Sequence, residues 1–268
     1  MAKIKLCISL FVWLSAPSFC RAEAPALGIS RQLLAGASYY EAVTVLEPLL
    51  LQKEKSVAQQ EAYTIAEEAL RKLVLEEYIL IREYETIYPI GSGTGPGDMK
   101  WEKITELNRL GAGITFDNMA GAYDYHHAFL RTYLEKYPDG KYAPAAEFYT
   151  IRPGRNELSE VERELKELYA YVKKYPEGKE SDKARLKIAR INDNLWDLLY
   201  HSGWPPFSSG NKGRDEARAE ECRRTSLSLY KRLLKSRYLS PEELKEAKER
   251  YDGLVSLKHS AVYFITYD

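Results

Sequence analysis

Four histidines, three cysteines and several paired carboxylates are the side chains in this 268-residue sequence that could carry catalysis or hold a metal. His126 and His127 are neighbours, and on a helix adjacent side chains diverge by about 100°, which makes them poor joint ligands for one ion. His126 also falls on a stripe with Tyr123, Leu130, Tyr133 and Tyr137, where a hydrogen-bonded core histidine is expected. Neither His-Glu-x-x-His nor Gly-x-Ser-x-Gly occurs, so zinc-protease and serine-hydrolase mechanisms have no foothold. Ser209-Gly-Asn-Lys212 has a Ser-x-x-Lys spacing, but it sits in a Gly/Ser-rich stretch without a companion Lys-Thr-Gly.

Glu67-Glu68, Glu76-Glu77 and Glu242-Glu243 are sequence neighbours that point apart on a helix. Glycoside hydrolysis needs two carboxyls converging across a cleft, which only distant residues could supply here. Cys222 lies on an apolar stripe and reads as a buried, inert thiol, although Arg223 and Arg224 stand beside it. Gly91-Ser-Gly-Thr-Gly-Pro-Gly97 has neither the dinucleotide-fingerprint spacing nor a following Gly-Lys-Ser/Thr, and reads as a flexible connection. No catalytic residues, metal ligands or cofactor are expected.

Aromatic side chains remain. Twenty-one tyrosines are many. Most fit core packing, yet tyrosine also suits a helical surface that holds a peptide or glycan, because it joins apolar area to a hydroxyl. Trp204 and Phe207 lie in the long stretch Tyr200–Arg214, which is either a contact site or a plain loop. With His126, His127, Tyr133 and Tyr171 they make up the candidate binding residues.

These residues must be placed by helices. Phe129–Ile151 and Glu167–Ala189 are two copies of one pattern: a helix ending in Tyr-Pro, an acidic-Gly-Lys turn, and a second helix. Pro138 and Pro176 lie 38 residues apart, a period in the range of helix-pair repeats. Val161, Leu165, Leu168, Val172 and Tyr175 form one stripe, with Ser159 and Glu162 in a capping-box pattern. Ala184, Ile188, Ile191, Leu195 and Leu198 form the facing stripe. Proline drives the preceding tyrosine out of helical angles, and glycine supplies the turn.

Elsewhere, Tyr39, Ala42, Leu46 and Leu49 mark a helix. Ser56 to Ile87 is a long helical stretch whose Leu73–Ile81 part is apolar nearly all round, predicting burial on several sides. Asp98 can cap a helix carrying Trp101, Ile104 and Leu107 that stops near Gly111–Gly113. Ala219, Cys222, Ser226, Leu229 and Leu233 mark another, and Ser240-Pro241-Glu242-Glu243 is the strongest helix start in the chain. Residues 261–267 fit a terminal helix or a docked strand.

The N-terminus has Lys3 and Lys5, the apolar run Leu6–Leu14, and small residues at Ala22 and Ala24. That is the pattern of a secretory signal peptide, with cleavage after Ala22, and its apolar run is too short to span a bilayer. Removing residues 1–22 takes away three basic and no acidic residues, leaving 36 basic against 39 acidic. Pro17 and Phe19 occupy the places where a lipoprotein leader has Leu and a small residue, so simple export to a periplasm is expected over a lipid anchor on Cys20. The full chain carries 39 basic and 39 acidic residues, which offers no electrostatic footprint for nucleic acid. The expected organisation is a signal peptide (1–22) and one helical domain (23–268). That domain divides into N-terminal helices (23–90), a connection (91–97), repeated pairs (98–199), a loop (200–215) and C-terminal helices (216–268).

Tyr39-x-x-Ala42-x-x-x-Leu46-x-x-Leu49 and the doubled Tyr-Pro units resemble tetratricopeptide (TPR) repeats, weakly over 36–50 and better over 123–199. Tyr-Leu-Glu-Lys-Tyr-Pro-Asp-Gly-Lys-Tyr-Ala, residues 133–143, is similar to repeats of exported bacterial proteins that serve outer-membrane assembly and envelope complexes. The 38-residue spacing exceeds the regular 34, and the Trp-Leu-Gly portion of the consensus is missing. The resemblance implies an all-α fold, antiparallel helix pairs stacked as a short TPR-like α-solenoid. It also implies a scaffold or adaptor that binds a protein or peptide partner in the cell envelope. The alternative is an envelope enzyme or binding protein acting on glycan or peptidoglycan, and the oligomeric state stays open.

Overall fold

The computed structural model describes residues 19–87, 101–117, 122–154, 157–202 and 207–257. Residues 1–18, the Gly-rich stretch 91–97, Trp204 and residues 261–267 lie outside them. Among the described residues there are eleven α-helices, a π-helical turn and one two-stranded hairpin, so the all-α class holds. The chain divides into two compact units, Met1–Tyr125 and His126–Asp268.

The first unit holds α1 (Phe19–Ala35), α2 (Tyr39–Thr44), α3 (Glu47–Leu50), α4 (Val57–Ile87), α5 (Trp101–Arg109), β1 (Ile114–Asp117) and β2 (Ala122–Tyr125). Ala42, Leu46 and Leu49 are buried, as their spacing predicts, but the expected single helix is broken at Val45–Leu46. Pro48 is the reason: it lacks an N–H, and its ring would meet the carbonyl four residues back. Gln59, fully buried, donates from Nε2 to the Leu49 carbonyl (2.9 Å) and the Gln52 carbonyl (2.7 Å), fastening α4 to the end of α3. α4 remains helical through Leu73–Ile81, yet Leu75 is 57% exposed, so all-round burial fails at that position.

Tyr123, expected on the helical stripe, belongs instead to β2, whose register pairs Ile114 with Tyr125 and Phe116 with Tyr123. Gly111 (φ 97°) and Gly113 (φ 65°) turn the chain out of α5. Asn108 then brackets Ile114, donating to its carbonyl (2.9 Å) and accepting from its N–H (2.7 Å). A period of two across aromatic and β-branched residues favours strand pairing over helix.

The second unit holds α6 (Ala128–Lys136), α7 (Ala143–Thr150), α8 (Leu158–Lys174), α9 (Lys179–Asp197), α10 (Lys212–Leu233) and α11 (Pro241–Val255). α6 packs on α7 and α8 on α9, the two pairs that the duplication predicts. Their correspondence extends to backbone angles. Tyr137 ends α6 at φ −134°, ψ 61°, and Tyr175 ends α8 at φ −122°, ψ 81°. Each donates its N–H to the tyrosine four residues back, at 2.7 and 2.8 Å, and each ring leans on that same tyrosine, at 5.4 and 5.1 Å. Gly178 takes φ 123°, the angle that requires glycine; Gly140 does not need it.

α9 is the centre of this unit. α7, α8, α10 and α11 all pack on it, and its buried side chains include Arg185, Asn192, Asp193 and Asp197 beside the predicted apolar stripe. Ser226 donates to the Ala189 carbonyl (3.0 Å), tying α10 to α9, and the small buried residues Ala184, Ala189, Ala219 and Cys222 belong to the same core. Leu198–Ser202 continues α9 as a π-helical turn, and α10 already starts at Lys212, capped by Asn211, inside the expected 200–215 loop. Ser240 and Glu243 form the full reciprocal capping box at α11, with Pro241 in the first turn. The box expected at Ser159 and Glu162 does not form: α8 begins two residues earlier than that cap would set, at Leu158, with Glu157 as its cap.

Candidate functional site

The candidate binding residues scatter. Tyr133 is fully buried, its hydroxyl accepting the Tyr142 N–H at 3.0 Å, so it locks the α6–α7 turn and offers no surface. Phe207 is 1% exposed and packs in the core around α9. His126 and His127 precede α6 rather than riding on it. His127 caps the helix in a left-handed conformation (φ 55°, ψ 42°), and His126 is exposed, not a core histidine. Trp204 lies outside the described residues. Tyr171 borders a cavity.

That cavity, about 320 Å³, lies between α7 and α8 and is lined by Glu147, Thr150, Glu167, Tyr171 and Lys174. Its two carboxylates are already engaged. Glu147 accepts from Lys174 and from the Tyr175 hydroxyl (2.9 Å), and Glu167 pairs with Arg163 at 3.4 Å one helical turn away. The bond to Glu147 raises the Lys174 ammonium to about 12, which keeps it charged. Burial pushes the Tyr171 hydroxyl above its ordinary range, so it stays protonated. Glycosidase catalysis calls for one carboxyl held as an acid opposite a free carboxylate. Both carboxylates of this cleft are already paired.

A second cleft, about 630 Å³, is built where the end of α10 and the following turn meet the start of α9. Lys231, Arg232, Lys235 and Arg237 bring four cations to it, against Glu177 and Asp182. Asp182 is held by Arg185 at 2.8 Å and accepts from Ser236. Tyr238 adds an aromatic face, with the Arg237 guanidinium 4.9 Å from its ring centre and donating to its hydroxyl at 2.8 Å. The signal was in the sequence: Lys-Arg-Leu-Leu-Lys-Ser-Arg-Tyr over 231–238 puts four basic residues within seven. The balanced total charge hides it.

Cys222 is buried, and burial raises its thiol to about 11, which leaves it protonated and unreactive at neutral pH. Among the described residues, no three His, Cys, Asp or Glu side chains converge as a metal site requires. No family model, no curated protein and no solved structure matches the chain.

Proposed function

We propose that this chain is an exported, TPR-like helical adaptor that binds a protein or peptide partner in the cell envelope, by surface recognition and without chemistry. The observation that carries this reading is the duplicated helix pair, matched down to the conformation of its Tyr-Pro caps. Stacked helix pairs offer rigid surfaces suited to extended partners. The paired carboxylates of the α7–α8 cleft favour binding over hydrolysis.

Export is supported from a second direction. Pro25 sits seven residues into α1, where it forfeits a backbone hydrogen bond. Removal of residues 1–22 would put Pro25 third in the mature chain, within the first helical turn, where no partner for its N–H is needed. Among the described residues, no helix is long and apolar enough to cross a membrane.

The test is crosslinking of tagged protein in its native envelope, followed by mass spectrometry of captured material and of the protein's own N-terminus. A reproducible protein partner and a chain beginning at Glu23 are expected. Enrichment of glycan without a protein partner would overturn the adaptor reading, and an intact Met1 would overturn export.

A further inference from the structure

The second cleft has a property that stability does not explain. Along most of α10 the basic side chains are paired: Lys212 with Glu216, Arg218 with Glu162, and Arg223 and Arg224 with Glu220. The pattern stops at the cleft. Among the described residues, Lys231, Arg232 and Lys235 form no ion pair, and all three are exposed. The negative end of the helix dipole accounts for cations in the last turn, which covers Lys231 and Arg232. Lys235 follows the C-cap directly, and Arg237 lies beyond the helix end, where that effect has faded. Four cations against Glu177 and Asp182, the latter already held by Arg185, leave an excess of positive charge whose mutual repulsion a bound anion would relieve.

We propose that this cleft is the docking site for a carboxylate-rich peptide segment of the partner, with Lys231, Arg232, Lys235 and Arg237 taking its acidic side chains. The proposal rests on the adaptor reading and gives its partner a chemistry. Charge complementarity picks out an acidic ligand, and the rest of the lining picks out a peptide. Glu177 and Asp182 would repel a continuous polyphosphate but can accept N–H groups of an extended backbone. Tyr238, stiffened by Arg237, offers a flat apolar face of the kind that peptide-binding surfaces use. The chain as a whole has a formal net charge of zero, so it lacks the broad basic field that nucleic-acid binding draws on.

The experiment is fluorescence anisotropy on the full protein with three labelled probes: a short peptide of alternating glutamate and serine, its lysine counterpart, and an oligothymidylate of equal charge. A Lys231→Glu/Lys235→Glu variant is titrated alongside. Both side chains are exposed, so the variant should match the parent's circular dichroism and melting temperature. The glutamate peptide should bind, weaken as salt rises, and lose affinity by about tenfold or more in the variant. The lysine peptide should not bind. No detectable binding of the glutamate peptide, or equal binding to parent and variant, would overturn the proposal. So would an oligothymidylate that binds more tightly than the peptide and is lost in the variant. Failure here is separable from failure of the adaptor reading: a crosslinked partner captured equally by parent and variant removes this cleft and leaves the adaptor.

Discussion

Arg250→Met removes one guanidinium from a buried chain of charges that ties α9, α10 and α11 together. Arg250 gives Nη1 to Asp193 at 2.8 Å and Nε to Glu246 at 2.9 Å. Glu246 keeps a second cation in Arg190, so it loses little. Among the described residues, Asp193 is then left with the Tyr230 hydroxyl, at 3.4 Å. It is 3% exposed, and burial raises its pKa even with Arg250 in place. Breaking a buried pair in this way costs about 3–5 kcal/mol. Protonation sets a ceiling on the charge part. Neutralising a carboxyl of unfolded pKa about 3.9 at pH 7 costs about 4 kcal/mol, and at pH 5 only about 1.5 kcal/mol. The sign follows. In the variant, the folded pKa of Asp193 stands further above its unfolded value, so stability is retained in acid and lost as pH rises toward the folded pKa. Urea unfolding followed by circular dichroism should show a deficit at pH 7 that shrinks by about 2–3 kcal/mol at pH 5. Adding Asp193→Asn should recover much of the loss and remove its pH dependence. A deficit that is the same at both pH values, or a double variant weaker than Arg250→Met alone, would refute the account.

Gly154→Ala should destabilise by about 3 kcal/mol in the same assay, because its Cβ would stand 2.4 Å from the Glu160 backbone carbon, and backbone cannot yield as a side chain can. A loss under about 1 kcal/mol would mean that the start of α8 shifts freely. Ser240→Ala deletes the N-cap acceptor of α11 and should cost about 1 kcal/mol, with Ser240→Asp close to neutral. Cys222, the one cysteine of the sequence beyond Cys20, should react with a disulfide reagent no faster than the protein unfolds, and become fully reactive in denaturant. Rapid labelling of native protein would contradict its burial.

The helix pairs were legible because their apolar residues recur at helical spacing and Tyr-Pro ends the first helix of each pair. The Ser240 capping box was legible for a similar reason: all its determinants lie within four residues. What escaped depended on long-range neighbours. Stripes predict one buried face for α9, whereas four surrounding helices also bury Arg185, Asn192, Asp193 and Asp197; nothing local marks those polar residues as interior. Phe207 looked like a loop aromatic because its core partners are distant in sequence. Tyr123 was drawn into a helical stripe since three- and four-residue steps can be traced through a strand, and only the pairing with Phe116 corrects it. Of the proposed docking surface, the basic run at 231–238 was visible in the letters, but its excess of cations over the facing Glu177 and Asp182 could be seen only after folding.

The central position of α9 has a consequence for how the second unit comes apart. In a linear stack each repeat touches only its sequence neighbours, so an end can peel away while the rest endures. Here one helix is shared by α7, α8, α10 and α11, and losing any of them exposes the same strut to solvent. Hydrogen exchange of the amides in α8, α9 and α10 should therefore report one common opening energy, with no gradient from either end. The doubled helix pair reads as a modular plan, but wrapping it around one helix removes the modularity.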